Sequence, residues 1–200
     1  LRDHRETRYC IRGNPFDRAV VLPFSLNIGP VYPSSMLMRI GGKEVGPAGG
    51  SWLDVINPAT GRVLDRVPAG GGEEIGMAVE AGEHAFEAWA AKTPRERGKI
   101  LFHAAGRARA VHRDLARTLT LEQGKPLESA VDEVRGFANI LEFYASISGC
   151  LAGDTGRLGP RLDDATVREP YGVCGAIGPW NVPAIIMGWK VGAALTAGNT

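Results

Sequence analysis

The sequence predicts an α/β chain, and three observations carry that reading. Residues 73–149 repeat apolar side chains at the spacing of amphipathic helices. Residues 38–68 hold short apolar pieces broken by Gly and Pro, the pattern of a small antiparallel hairpin. Val173 to Ile177 has the apolar, small-residue character of a buried parallel strand, and a rigid corner joins it to a stretch of helical length.

Residues 1–35 stand apart. Their charges follow no helical period, and no apolar core precedes a small-residue cleavage site, so they do not read as a secretory signal. They are Arg-rich like a transit segment, but Asp3, Glu6 and Asp17 argue against that role. The expectation is a disordered or non-native leader, upstream of a start at Met36 or Met38. From Met36 the chain becomes orderly: Asn57-Pro58-Ala59-Thr60-Gly61 marks a turn between two strands.

Glu73 and Glu74 open the first helix, where acidic side chains suit the positive end of the helix dipole. Ile75, Val79, Gly82, Phe86 and Trp89 step by 4, 3, 4 and 3 along one face. Thr93 is placed to cap a second helix, with Pro94 in its first turn, where the missing N–H costs nothing. Ile100, Leu101, Ala104, Ala108 and Val111 form its apolar face, and Leu115, Leu119 and Leu121 that of a following segment. Gly124 ends the run in a left-handed conformation and Pro126 prevents its continuation. A further helix carries Leu127, Val131, Val134, Ala138, Leu141 and Ala145. The glycine-rich stretch LAGDTGRLGPRLDDA, 151–165, reads as an extended arm or loop.

Composition narrows the function. Two hundred residues with 44% hydrophobic content suffice for one domain or part of a larger one. The 23 basic and 22 acidic side chains leave a net charge of +1, so no one-signed field draws nucleic acid or an acidic membrane. No apolar run approaches the roughly 20 residues of a membrane helix. Cys10, Cys150 and Cys174 are odd in number and irregularly spaced, which fits a reducing, cytoplasmic setting better than disulfides or a metal site.

Chemistry concentrates at Ile177-Gly178-Pro179-Trp180-Asn181-Val182-Pro183. A strand, a sharp turn and a helix N-terminus can aim backbone N–H groups and a positive dipole at a nucleotide ligand. Three stretches, INPATGRVLDRVPAG (56–70), LTLEQGKPLESAVDEV (119–134) and EPYGVCGAIGPWNVPAIIMGWKVGAALTAGNT (169–200), resemble successive signatures of the NAD(P)-dependent aldehyde dehydrogenase superfamily. The resemblance covers about residue 40 onward, and Pro-Trp-Asn followed by Pro is its most specific element.

The resemblance implies the N-terminal part of that fold: an incomplete Rossmann-like cofactor-binding domain. Its divisions are a hairpin and helices over 36–150, an oligomerisation arm over 151–170, and the first strand-turn-helix over 171–200, cut short at the end. It implies that Asn181 donates its amide to the substrate oxygen as a thiolate adds to an aldehyde; an Asn amide is a donor without charge. Without it, Asn181 reads equally well as a cap or turn residue.

Ile177, Gly178, Pro179 and Trp180, with Asn181, match positions that line the NAD or NADP site, although an isolated Trp ordinarily packs a core. Gly178 replaces a bulkier residue of some members and leaves more room. Val182, Ile186 and Trp189 match substrate-tunnel positions, a stripe any buried helix also shows; Val182 replaces an aromatic residue and widens the passage. Lys190 matches a lysine associated with proton transfer.

The family's nucleophile is a cysteine, forming a thiohemiacetal and then a thioester with help from a Glu base. None of the three cysteines fits, and the family's Cys and Glu lie beyond the point matching Thr200. The implied parent is an aldehyde-oxidising homodimer or homotetramer, with these 200 residues inactive alone. The alternatives are a truncated, non-catalytic binding or assembly fragment, and a coenzyme A-acylating semialdehyde dehydrogenase.

Overall fold

The computed structural model describes residues 36–200, so the expectation for the first 35 concerns residues outside those described. Two hairpins open this part of the chain where one was expected. Strands β1 (Met38–Ile40) and β2 (Lys43–Val45) pair antiparallel around Gly41 and Gly42; β3 (Trp52–Ile56) and β4 (Val63–Pro68) pair around the Asn57–Gly61 turn. Asn57 makes that turn itself: its Oδ1 accepts the Ala59 N–H at 2.9 Å, and its carbonyl accepts those of Thr60 and Gly61.

Helix α1 (Gly72–Ala90) begins at the expected acidic pair, but its inward line runs through Glu74 and Ala78. Glu74, 5% exposed, accepts the N–H of Ala48 at 2.6 Å and of Gly71 at 2.7 Å. That buried carboxylate orients the helix and leaves the neighbouring Ile75 exposed, against the expected stripe. Helix α2 (Pro94–Ala110) starts as expected, with Thr93 and Glu96 forming a reciprocal capping box. Leu101 takes its inward position, so Ile100, about 100° round the helix, is exposed. Helix α3 (His112–Gln123) ends at Gly124, whose φ of 74° is the left-handed conformation expected there. Pro58 packs so closely on Gly124 that a β-carbon would lie 2.8 Å from its Cγ.

Helix α4 (Leu127–Ser146) is the hub, packed against α2, α3 and the last helix, α5 (Pro183–Thr196). Leu101, Ala105 and Ala108 of α2 meet Ala138, Leu141 and Ala145 of α4; Ala116 of α3 meets Ala130, Val131 and Val134. Leu127 is exposed because it lies one turn ahead of Ala130, where this packing begins. Glycines let the helices approach. A β-carbon at Gly192 would lie 2.6 Å from Tyr144 Cδ2, and one at Gly98 would lie 2.8 Å from the Ala145 carbonyl oxygen.

The C-terminal end of α5 is tied to the rest. Arg97, 8% exposed, donates to the carbonyls of Ala90, Lys92 and Thr196, placing a cation at the C-terminal ends of α1 and α5. Trp89 Nε1 donates to Leu195 O at 3.1 Å. The 151–165 stretch is a hairpin rather than a plain loop, with β5 (Thr155–Gly159) and β6 (Leu162–Ala165) largely exposed.

Val173 to Ile177 does not form the expected regular buried strand: it ranges from half-buried to exposed. Thr200 N–H donates to Gly172 O at 3.1 Å and Cys174 N–H donates to Thr200 O at 2.7 Å, the bond pattern of a single parallel rung between Val173 and Thr200. A regular strand needs such bonds along its length, and among the described residues this rung is its backbone pairing. Asn199 Oδ1 accepts the N–H groups of Tyr171 and Gly172, fixing the start of the segment.

Gly192→Ala is expected to force Tyr144 aside and to destabilise the chain by about 1–3 kcal/mol, read by thermal denaturation. The N–H donors from Ala48 and Gly71 hold the Glu74 carboxyl below the usual carboxylate range. Its contribution to stability is therefore present above the unfolded-state value and lost as pH falls through the lower folded value. Glu74→Gln is expected to flatten the acid limb of the stability profile in urea titrations from pH 7 to pH 3.

Candidate active site

The site is built on the N-terminus of α5. Pro183 occupies its first position and Val182 supplies no capping side chain, so the first-turn N–H groups need partners from elsewhere. One comes from α4: Glu133 Oε1 accepts the Ala184 N–H at 2.9 Å. Glu133 is 4% exposed, and its other oxygen pairs with Lys125 Nζ. Lys125 in turn donates to Asn181 O at 2.8 Å, and Gln123 Nε2 donates to Trp180 O. Three side chains, from the last residue of α3, the α3–α4 turn and the first turns of α4, thus hold the carbonyls of Trp180 and Asn181 and the N–H of Ala184.

With its backbone held from behind, the corner turns its side chains outward. Ile177 is 86% and Trp180 83% exposed, and Gly178, Pro179 and Asn181 are exposed beside them. Val182 and Ile186 are half-buried, Trp189 is 51% exposed, and Lys190 reaches solvent, as a lysine on an otherwise apolar helix requires. A β-carbon at Gly178 would lie 3.5 Å from Met187 Sδ and 3.8 Å from Ile186, so the corner folds back onto the first turns of α5. Gly188 and Gly192 take the helix's buried side against α4, which leaves Val182, Ile186 and Trp189 along its shoulder.

The positive end of α5 already faces the protein's own carboxylate, Glu133, so the Ala184 N–H is not open to a bound anion. Sequence reasoning missed Gln123, Lys125 and Glu133. A signal was present: Glu133 lies between Val131 and Val134 on the apolar stripe of α4, where a charge must be paired. Of the described cysteines, Cys150 is exposed on the turn after α4 and Cys174 lies on the segment leading into the corner. Among the described residues no group of His, Cys, Asp and Glu could hold a metal, and no helix is long and apolar enough to cross a membrane.

The family model described as the aldehyde dehydrogenase family matches residues 45–200, which include the whole corner and its supports. The chain belongs to the aldehyde dehydrogenase family. It is 39% identical over 163 residues to the NADP(+) succinate-semialdehyde dehydrogenase GabD of Escherichia coli (strain K12), covering 80% of this chain and 34% of that protein. It is 38% identical over 166 residues to the mitochondrial succinate-semialdehyde dehydrogenase of Arabidopsis thaliana, covering 78% of this chain and 31% of the relative. The crystal structure of an E. coli NADP-dependent enzyme superposes with a TM-score of 0.81 at 37% identity, covering 88% of this chain and 36% of that one. The chain therefore carries a partial α/β domain of the aldehyde dehydrogenase fold, and spans about a third of the length of the curated relatives it matches.

The outward face of the corner is open to a direct check. Trp180 is more exposed than Trp52 at 37% or Trp189 at 51%. Trp180→Phe is expected to remove the largest share of acrylamide-quenchable emission of any single Trp→Phe change in the chain.

Proposed function

We propose that this chain is the N-terminal part of an NAD(P)-dependent aldehyde dehydrogenase and supplies the oxyanion donor for aldehyde oxidation. The observation that carries the reading is the corner itself: Asn181 is exposed at the head of α5, while its carbonyl is held from behind by Lys125. The cofactor's fit can be judged from the residues present. Exposed Ile177, Gly178, Pro179 and Trp180 form an apolar shelf suited to the flat nicotinamide half, whereas Glu133 at the helix end disfavours its phosphates there. The nicotinamide, when bound, supplies a hydride acceptor. Whether the protein uses NAD or NADP follows from residues other than these; the name of the E. coli relative makes NADP the first to test.

The role of Asn181 follows from charge. As a cysteine thiolate, supplied from outside these 200 residues, adds to the aldehyde carbon, the carbonyl oxygen becomes an alkoxide. Asn181 Nδ2 donates to that oxygen, and a neutral amide does so without forming an ion pair that would hold the oxygen too long. Val182, Ile186 and Trp189 form the near wall of the substrate's approach, and Lys190, exposed on the same helix, is the group that relays a proton. The two relatives reported above are named for a semialdehyde, which makes that small-molecule class the first substrate to assay. The exposed β5–β6 hairpin is the arm through which copies associate as a dimer or tetramer, and the cytoplasm is the compartment that suits three irregularly spaced cysteines.

The test is steady-state kinetics of the enzyme that contains this chain, with succinate semialdehyde and NADP. Asn181→Ala is expected to lower kcat by about 100- to 1,000-fold with little change in cofactor KM. Parental kcat in that variant, or steady aldehyde turnover by the 200 residues alone, would sink the proposal.

A further inference from the structure

We propose that Lys125 and Glu133 are positioning residues for Asn181, a buried ion pair whose task is to set the height and angle of the oxyanion donor rather than to add stability. The inference rests on the reading of Asn181 given above and deepens it. Lys125 has a side chain 15% exposed and Glu133 one 3% exposed, so both charges are largely withdrawn from water. A buried pair is a poor route to stability, because the cost of removing two charges from water offsets most of their attraction. What this pair does have is reach. The Lys125 ammonium touches the Asn181 carbonyl and the Glu133 carboxylate together, and Glu133 also holds the Ala184 N–H.

The consequence is a rigid bracket across four residues. Asn181 is fixed through its carbonyl on one side, and the first turn of α5 is fixed through Ala184 on the other. Val182 and Pro183 span the gap, and the proline ring holds its own φ. The Asn181 side chain then leaves the backbone in a direction set by α4. Gln123, donating to the Trp180 carbonyl, extends the bracket one residue towards the cofactor shelf. An apolar pair of the same volume would pack, but would leave the Asn181 carbonyl with no donor from this side.

Three variants of the intact enzyme separate positioning from stability. Lys125→Met leaves Glu133 as an uncompensated buried charge and is expected to lower Tm by about 3–5 °C. Adding Glu133→Gln removes that charge and keeps an acceptor for Ala184, so Tm is expected to return close to the parent value. In this double variant kcat is expected to stay about 10- to 100-fold down, with cofactor Kd unchanged, because the Asn181 carbonyl is still unheld. In the Asn181→Ala background the same double change is expected to cost no further kcat, since there is no donor left to misplace. Recovery of kcat together with Tm would overturn the inference, as would an equal loss in both backgrounds. Parental kcat for Asn181→Ala alone would instead overturn the oxyanion reading beneath it, and this inference with it.

Discussion

A single buried carboxylate, that of Glu133, ties the helical scaffold to the exposed Gly-Pro-Trp-Asn corner. It lies on the inner stripe of α4, yet its two oxygens reach out of α4 to Lys125 and to the Ala184 N–H of α5. A charge in that position is tolerated only when its lone pairs are satisfied. Its partners therefore have little freedom: Lys125 must sit where the α3–α4 turn delivers it, and α5 must begin where its second residue meets the carboxylate. The αL glycine at 124 and Pro126 make that delivery reproducible, and Pro58 of the second hairpin packs on the same glycine. Two stretches distant in sequence, Asn57-Pro58 and Gly124-Lys125, thus form one support.

The other end of α5 is held by different means. Arg97, Trp89 and Asn199 occupy the carbonyls and N–H groups around its C-terminus, so the helix is fixed at both ends while its middle slides close to α4 over Gly188 and Gly192. Burial pushes the Arg97 guanidinium down from its usual value, but no carboxylate is needed beside it, because three carbonyls at helix ends present partial negative charge. A helix clamped in this way presents its first turn as a rigid platform. The contrast with the exposed Ile177 and Trp180 just before it is one of environment: the support is buried and charged, whereas the face of the corner is open and apolar.

Much of this was legible in the sequence. The capping box at Thr93, the left-handed end at Gly124, the Asn57 turn and the apolar stripe from Val131 to Ala145 are local features, set by residues within one or two turns of each other. The Gly-Pro-Trp-Asn corner, too, is a local feature, a rigid turn ahead of the Pro183 that opens α5. Periodicity misassigned Ile75, Ile100 and Leu127, because spacing gives the width of an apolar face but not its rotation against a neighbour.

Tertiary structure alone decided which groups meet. Glu133 and Ala184 are 51 residues apart, Lys125 and Asn181 are 56 apart, and Arg97 and Thr196 are 99 apart, and no local preference relates such pairs. The strand expected at 173–177 shows the same limit: its residues favour extended backbone, but a parallel strand exists only through the neighbour that accepts and donates its bonds, and here that amounts to one rung with Thr200. The sequence by itself determined the helices, the turns and the position of the rigid corner before α5, since these arise from short-range sterics and hydrogen bonding. Packing determined the corner's orientation and its charge, since the carboxylate that occupies the positive end of α5 comes from another helix.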